Sequence, residues 1–233
     1  MRYILSKEIL EKYPTACLGI ICARGIDNSK SNPDILKLLR NTESQIKNKF
    51  MGIKTFEHPR IKCWREVYSA FGAKPSKYSC SIEAMIKRIL EGGNVPDIND
   101  VVNLCNYISL KHLISLGGDD ADKSQGNVIL AIAKGDEKFM EMGQQEIKNP
   151  SAGEAIFKDD NDVLGRRWNW RQSEKTKITK SSSNVNIQIE GVYPVTKSDI
   201  EESGVELMQL LKEFFGIKTA FHYADKDSPS AVI

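Results

Sequence analysis

Ile187-Gln-Ile-Glu190-Gly191 alternates apolar and polar residues, the period of a β-strand. Ile187 and Ile189 then share one face, Gln188 and Glu190 the other, and Glu190 stands at the strand's end. A carboxylate there is either ordinary surface or, at the mouth of an open pocket, a group able to activate water. Asn99, Asn103 and Asn106 fall at spacings of four and three, which sets them on one stripe of a helix. Asparagine is a middling helix former. The stripe is therefore a cap followed by a solvated face, or a row of neutral amides that hold polar ligand atoms without adding charge. Leu116-Gly-Gly-Asp-Asp120 follows and reads as a turn leading off that helix, with Asp120 a candidate to grip an amino group. Gly153-Glu154 heads a later strand, and Glu154 joins the candidates for holding substrate.

The stretch Gly165-Arg-Arg-Trp-Asn-Trp-Arg171 sets Trp168 and Trp170 among Arg166, Arg167 and Arg171, and Lys175, Lys177 and Lys180 come close behind. As one strand over Val163–Arg171 it would turn both tryptophans inward and Arg167, Asn169 and Arg171 outward. That outer face is either simply solvated or an anion-binding ledge, because guanidinium groups match carboxylates and phosphates with a rigid fork of donors.

Other chemistries find no residues to carry them. The five cysteines are scattered without a CxxC pair, and with only three histidines no metal-ligand spacing forms. No phosphate-binding glycine loop, nucleophile elbow or zinc-protease helix is present. The 33 basic and 31 acidic residues nearly cancel, to a net charge of +2. Their distribution is uneven, with basic residues concentrated over 60–88 and 166–180 and acidic ones over 97–162. The expectation is an ordinary globular cytoplasmic protein with reduced thiols, no signal peptide and no membrane span.

These groups need elements to position them. Apolar spacing and capping residues predict helices that start after Ser6, at Pro33, at Pro59, near Ser79 or Ser81, at Asn99 or Asp100 and at Ser198. Strands are expected over Thr15–Ala23, Val128–Ala133, Glu154–Lys158, Val163–Arg171, Val185–Val192 and Ile217–Tyr223, and residues 225–233 read as frayed. Helices first and strands later indicate an α+β fold in a single domain over 1–233.

Val101-Val-Asn-Leu-Cys-Asn-Tyr-Ile-Ser-Leu110 resembles a motif of the B3/B4 domain, the editing module of the phenylalanyl-tRNA synthetase β subunit. The order of FGAKPSKYSCSIEAMIKRIL, PDIND, GGDD, GE, RRWNWRQSEKTKIT and NVNIQIEG is closer still to freestanding B3/B4 proteins, over about residues 60–195. The segments before and after would be extensions of that core. The resemblance implies a β-sandwich of unusual topology flanked by helices. It also implies hydrolysis of a mischarged aminoacyl-tRNA, or binding of a tRNA end or amino-acid-like ligand without catalysis. Asn106 and Glu190 fall on motif positions that form the family's pocket, and Asp120 on a retained acid. Asn103, Gly117, Glu154, Arg167, Asn169 and Arg171 would contact substrate, and Lys74, Lys77, Arg88 and Lys175 the tRNA backbone. tRNA is the implied partner, with no DNA, membrane, metal or cofactor. The chain departs from the synthetase motif where Gly117-Gly-Asp-Asp120 stands in place of HAFD, so the pocket histidine and the tyrosine selectivity are not implied here.

Overall fold

The apolar run after Pro14 forms a strand, Cys17–Arg24, buried on both faces along nearly its whole length. A strand of that kind must be covered from two sides. Leu18, Ile20 and Cys22 join one core and Cys17, Ile21 and Ala23 a second. The computed structural model describes residues 1–233. Its ten strands are β1 (Arg2–Leu5), β2 (Cys17–Arg24), β3 (Ser115–Asp120), β4 (Val128–Ile132), β5 (Ala155–Lys158), β6 (Val163–Arg166), β7 (Arg171–Gln172), β8 (Asn184–Gly191), β9 (Thr219–Ala224) and β10 (Ser230–Val232). An antiparallel sheet runs β3-β8-β2-β9, and a mixed sheet runs β10-β1-β4-β5-β6-β7 with β1 and β4 parallel.

Side chains of Tyr3, Leu5, Val128, Leu130 and Phe157 from the second sheet meet Leu18 and Ile20 from the first in the larger core. The outer face of the first sheet, with Ile187 and Ile189, packs on helices α5 (Asp100–His112) and α6 (Lys197–Phe215). Helices α3 (Pro59–Ala70) and α4 (Ser81–Leu90) add Trp64, Tyr68, Ile82 and Ile86 to the larger core. The fold is thus α+β, two sheets with helices around them. None of its helices is long and apolar enough to cross a membrane.

Local chemistry explains most helix starts. The side chains of Ser6, Asn32, His58 and Asn99, at the heads of α1 (Lys7–Lys12), α2 (Pro33–Lys49), α3 and α5, each accept a backbone N–H of the following turn, and Pro33 and Pro59 fill first positions that need no N–H. Helix α6 begins earlier than Ser198, because Thr196 and Asp199 close a reciprocal capping box.

Three expectations are corrected. Val163–Arg171 is not one strand. The chain reverses between β6 and β7, and Arg167 and Trp168 both take left-handed backbone conformations, φ 48° and 65°. The reversal is held by Trp168 N–H on Ala155 O at 2.7 Å and Trp170 N–H on Arg166 O at 3.1 Å. It drives the Trp168 ring between Tyr13 and Trp64, edge-on at 5.5 and 5.2 Å. Ser115–Asp120 is not a turn but strand β3, paired residue by residue with β8. The C-terminus is not frayed, since Ser230–Val232 pairs with β1 and buries Ala231.

Candidate functional site

Strands β3 and β8 run antiparallel with Gly117 opposite Gln188 and Asp119 opposite Asn186. Gly117, Asp119, Gln188 and Glu190 line a cavity of about 300 Å³. Helix α5 adds Asn106, the β6–β7 reversal adds Trp168, Asn169, Trp170, Arg171 and Gln172, and Phe157 and Leu164 form an apolar wall. A second hollow of about 190 Å³ shares Asn106, Leu116, Gly117, Met142 and Gln172 with the first.

Two buried carboxyls dominate the electrostatics. Asp119 is saturated: Thr176 Oγ1 donates at 2.5 Å, Gln172 Nε2 at 2.7 Å and Gln188 Nε2 at 2.8 Å. Burial pushes its pKa up to about 6 against the pull of those three donors. Glu190 has one partner, Asn169 Nδ2, which donates to Oε2 at 2.9 Å. Burial pushes the Glu190 carboxyl up to about 8; the Asn169 bond opposes the rise and the Asp119 charge adds to it. Its Oε1 faces Gly117, where an added Cβ would sit 3.3 Å away, and no protein group donates to it. Asn169 is fixed in turn by Tyr68, whose hydroxyl donates to its Oδ1 at 2.9 Å.

The free edge of β3 opens on the same space. Asp120 N–H donates outward to Thr176 O at 2.8 Å, and Gly118 O accepts from Gln172 Nε2 at 3.0 Å. In an antiparallel ladder alternate residues turn their backbone groups away from the partner strand. Leu116 and Gly118 therefore also present their N–H groups to that edge; Leu116 lines both hollows and Gly118 the second alone. Fixed neutral donors of this kind suit a carbonyl oxygen that gains negative charge.

The structure gathers some of the residues singled out in the sequence and separates others. Asn106, Gly117, Asn169, Arg171 and Glu190 line the cavity. Asn106 makes no side-chain bond to protein, whereas the rest of its stripe is structural. Asn99 caps α5, and Asn103 donates to Asp97 Oδ1 at 2.8 Å. Asp120 points away from the cavity and takes Ser182 Oγ at 2.6 Å; strand parity puts its neighbour Asp119 inside instead. Glu154 is buried against Arg166, whose Nε lies at 2.6 Å.

Arg167 does not line the cavity. Its guanidinium stacks on Tyr78 at 3.9 Å and Trp170 at 4.4 Å, with Nε 3.4 Å from Glu154, and burial pulls its pKa down. Arg171 sits at the rim, over Trp170 at 4.7 Å and paired with Glu141 at 2.9 Å. Lys74, Lys77 and Arg88 are exposed. Lys175 is not a free surface cation, because it bridges buried Asp159 and Asp162 at 2.9 Å each. Gln188, Gln172 and Asp119 are cavity residues that the sequence reading passed over; counting by two from Glu190 and Gly117 finds Gln188 and Asp119.

The family model of the B3/4 domain matches residues 63–208. Among solved structures the chain is similar to an N-terminal fragment of the phenylalanyl-tRNA synthetase beta-subunit from Pyrococcus horikoshii. The identity is 13%, the match covers 93% of this chain and 49% of that one, and the TM-score is 0.49. The chain therefore spans about half the length of that fragment. No curated protein matches.

Proposed function

The chain belongs to the B3/4 domain family, and we propose that it takes the aminoacyl end of a charged tRNA into the cavity beside Glu190 and hydrolyses the ester. The observation that carries this reading is the free Oε1 of Glu190, buried in a cavity of amino-acid size and surrounded by neutral amides. A buried carboxyl without a cationic partner seeks one. The ammonium of an aminoacyl ester supplies that charge, and its arrival would draw the proton off Glu190.

The ionised carboxylate then accepts a proton from a water that attacks the ester carbonyl carbon. The carbonyl oxygen becomes an oxyanion, met by Asn106 and the Leu116 N–H at the edge of β3. Collapse breaks the bond to the ribose oxygen, which takes back the proton that Glu190 accepted from the water, and frees the amino acid. An aminoacyl ester is already activated, so holding water and carbonyl in register supplies much of the rate.

The rim supports an RNA end. Lys77 lies over Tyr78 at 5.3 Å, Tyr78 meets Trp170 edge-on at 5.0 Å, and Arg171 covers Trp170. Alternating rings and cations at the mouth of a pocket suit stacked bases and their phosphates.

A second reading, binding without hydrolysis, is favoured by one observation: both oxygens of Asp119 are engaged and Glu190 is protonated near neutrality, so the empty pocket holds no ready base. Deacylation of a panel of correctly and incorrectly charged tRNAs separates the two. Release of one aminoacyl class, lost in both Glu190→Gln and Asn106→Ala, is the expected result. Binding of charged tRNA that weakens with salt, without release of any amino acid, would leave only the binding module.

A further inference from the structure

Beside the polar cavity lies the second hollow of about 190 Å³, and the two differ in chemistry. The first carries two carboxyls and four side-chain amides. The second is walled by Ile98, Val102, Cys105, Leu116, Met142 and Ile178. Its one cation, Lys177, is occupied by Glu174. Ile98 and Met142 are half exposed at its mouth, large apolar surfaces that water would be expelled from on binding.

The hollows adjoin at two consecutive residues of one edge strand, Gly117 lining both and Gly118 the second. A Cβ on Gly117 would lie 3.3 Å from Glu190 Oε1, and one on Gly118 would lie 2.9 Å from Ile178 Cδ1. Those two glycines turn to opposite sides of β3 with only the strand's own thickness between them. That is the span of an amino acid from its ammonium to its side chain. Gly117 lines both hollows without a side chain to divide them, Ile178 fills the space over Gly118, and Asn106 lines both hollows with its amide free.

We infer that the second hollow is the side-chain seat of the aminoacyl group and that it selects apolar side chains without a hydroxyl or charge. This rests on the aminoacyl reading of the polar cavity and adds the substrate class to it. A polar or charged side chain would have to shed its water among Ile98, Val102, Leu116 and Ile178, where the polar side chains are Asn106 and Gln172, both shared with the first cavity, and Lys177, already held by Glu174; that cost is the source of selection.

The test measures binding of the whole chain to stable 3′-aminoacylamino-3′-deoxyadenosines that carry alanyl, leucyl, seryl and glutamyl groups. Each buried methylene is worth roughly fourfold in affinity, so the leucyl compound should bind on the order of 50-fold tighter than the alanyl one. The seryl compound should gain nothing over alanyl, and the glutamyl compound should bind weakest. Ile98→Asp at the exposed mouth, and Val102→Phe as a filler of the hollow, should each collapse the leucyl-to-alanyl ratio to a few-fold. Equal binding of alanyl and leucyl compounds, still weakened by Glu190→Gln, would overturn the side-chain seat and leave the aminoacyl pocket standing. Binding of none of the four would overturn both.

Discussion

Replacing Glu190 by glutamine keeps the size of the side chain and the bond it accepts from Asn169, while removing its titration. The native carboxyl has a pKa of about 8 in the fold against 4.5 for the free side chain. The folded chain therefore holds a proton that the unfolded chain gives up. That stabilisation is complete below about pH 4.5 and is lost as pH rises, until none remains above about pH 8. At about 1.4 kcal/mol per pH unit the whole window corresponds to about 5 kcal/mol, of which about 3 kcal/mol is gone by pH 7. Glu190→Gln escapes the loss. Urea unfolding of both proteins at pH 5, 7 and 9, followed by far-ultraviolet circular dichroism, reads the difference directly. The Asp119 carboxyl, which titrates near pH 6, is present in both and largely cancels. The two proteins should be nearly equal at pH 5, and the variant should be more stable by several kcal/mol at pH 9. In thermal melts this is about 10 °C for a chain of this size. A difference that stays constant from pH 5 to pH 9, or a native protein that gains on the variant as pH rises, would refute the assignment of a buried, protonated Glu190.

Gly117→Ala places a methyl 3.2 Å from Gln188 Oε1 and 3.3 Å from Glu190 Oε1, inside the cavity and on a backbone that any residue can adopt. It should weaken binding of the leucyl compound at least tenfold, by roughly the cost of filling a packed site, while the melting temperature moves by only a few degrees. Lys175→Ala strips the partner from buried Asp159 and should cost about 3 kcal/mol of stability in urea unfolding. The salt dependence of tRNA binding should be unchanged, whereas loss of a phosphate contact would flatten its slope by about one.

Much of the frame was legible because local chemistry and burial agree there. Asn32-Pro33 and His58-Pro59 cap helices in the sequence and in the fold. The run from Cys17 is central, and 185–191 alternates as a strand with Val185, Ile187 and Ile189 in one core and Gln188 and Glu190 toward the cavity. Strand β3 was hidden by its own composition. Two glycines and two aspartates look like a turn, and what makes them a strand is β8, some seventy residues away in the register Gly117 to Gln188. Counting by two reaches Asp119 only once β3 is known to be a strand, and its donors Gln172, Thr176 and Gln188 are all distant in sequence. The reversal at Arg167–Trp168 gave no signal, since left-handed positions usually announce themselves by glycine or asparagine. The seat that Trp168 finds between Tyr13 and Trp64 decides that turn, and no local pattern encodes it. The pairing of Arg2 with Val232 joins the two ends of the chain and lies equally beyond periodicity.

The hairpin tip between β6 and β7 has a consequence for how such a pocket changes over evolutionary time. Its strands lie at the margin of the mixed sheet, and β7 is the edge. Yet its few residues provide Trp168, Asn169, Trp170 and Arg171, one whole side of the cavity. Within that wall, Trp168 is locked into the core between Tyr13 and Trp64, and Asn169 holds Glu190. The exchangeable part is therefore Trp170 and Arg171 at the outer rim. A descendant that reletters those two positions redraws the mouth of the cavity while the core, the sheets and the strand bearing Glu190 remain untouched.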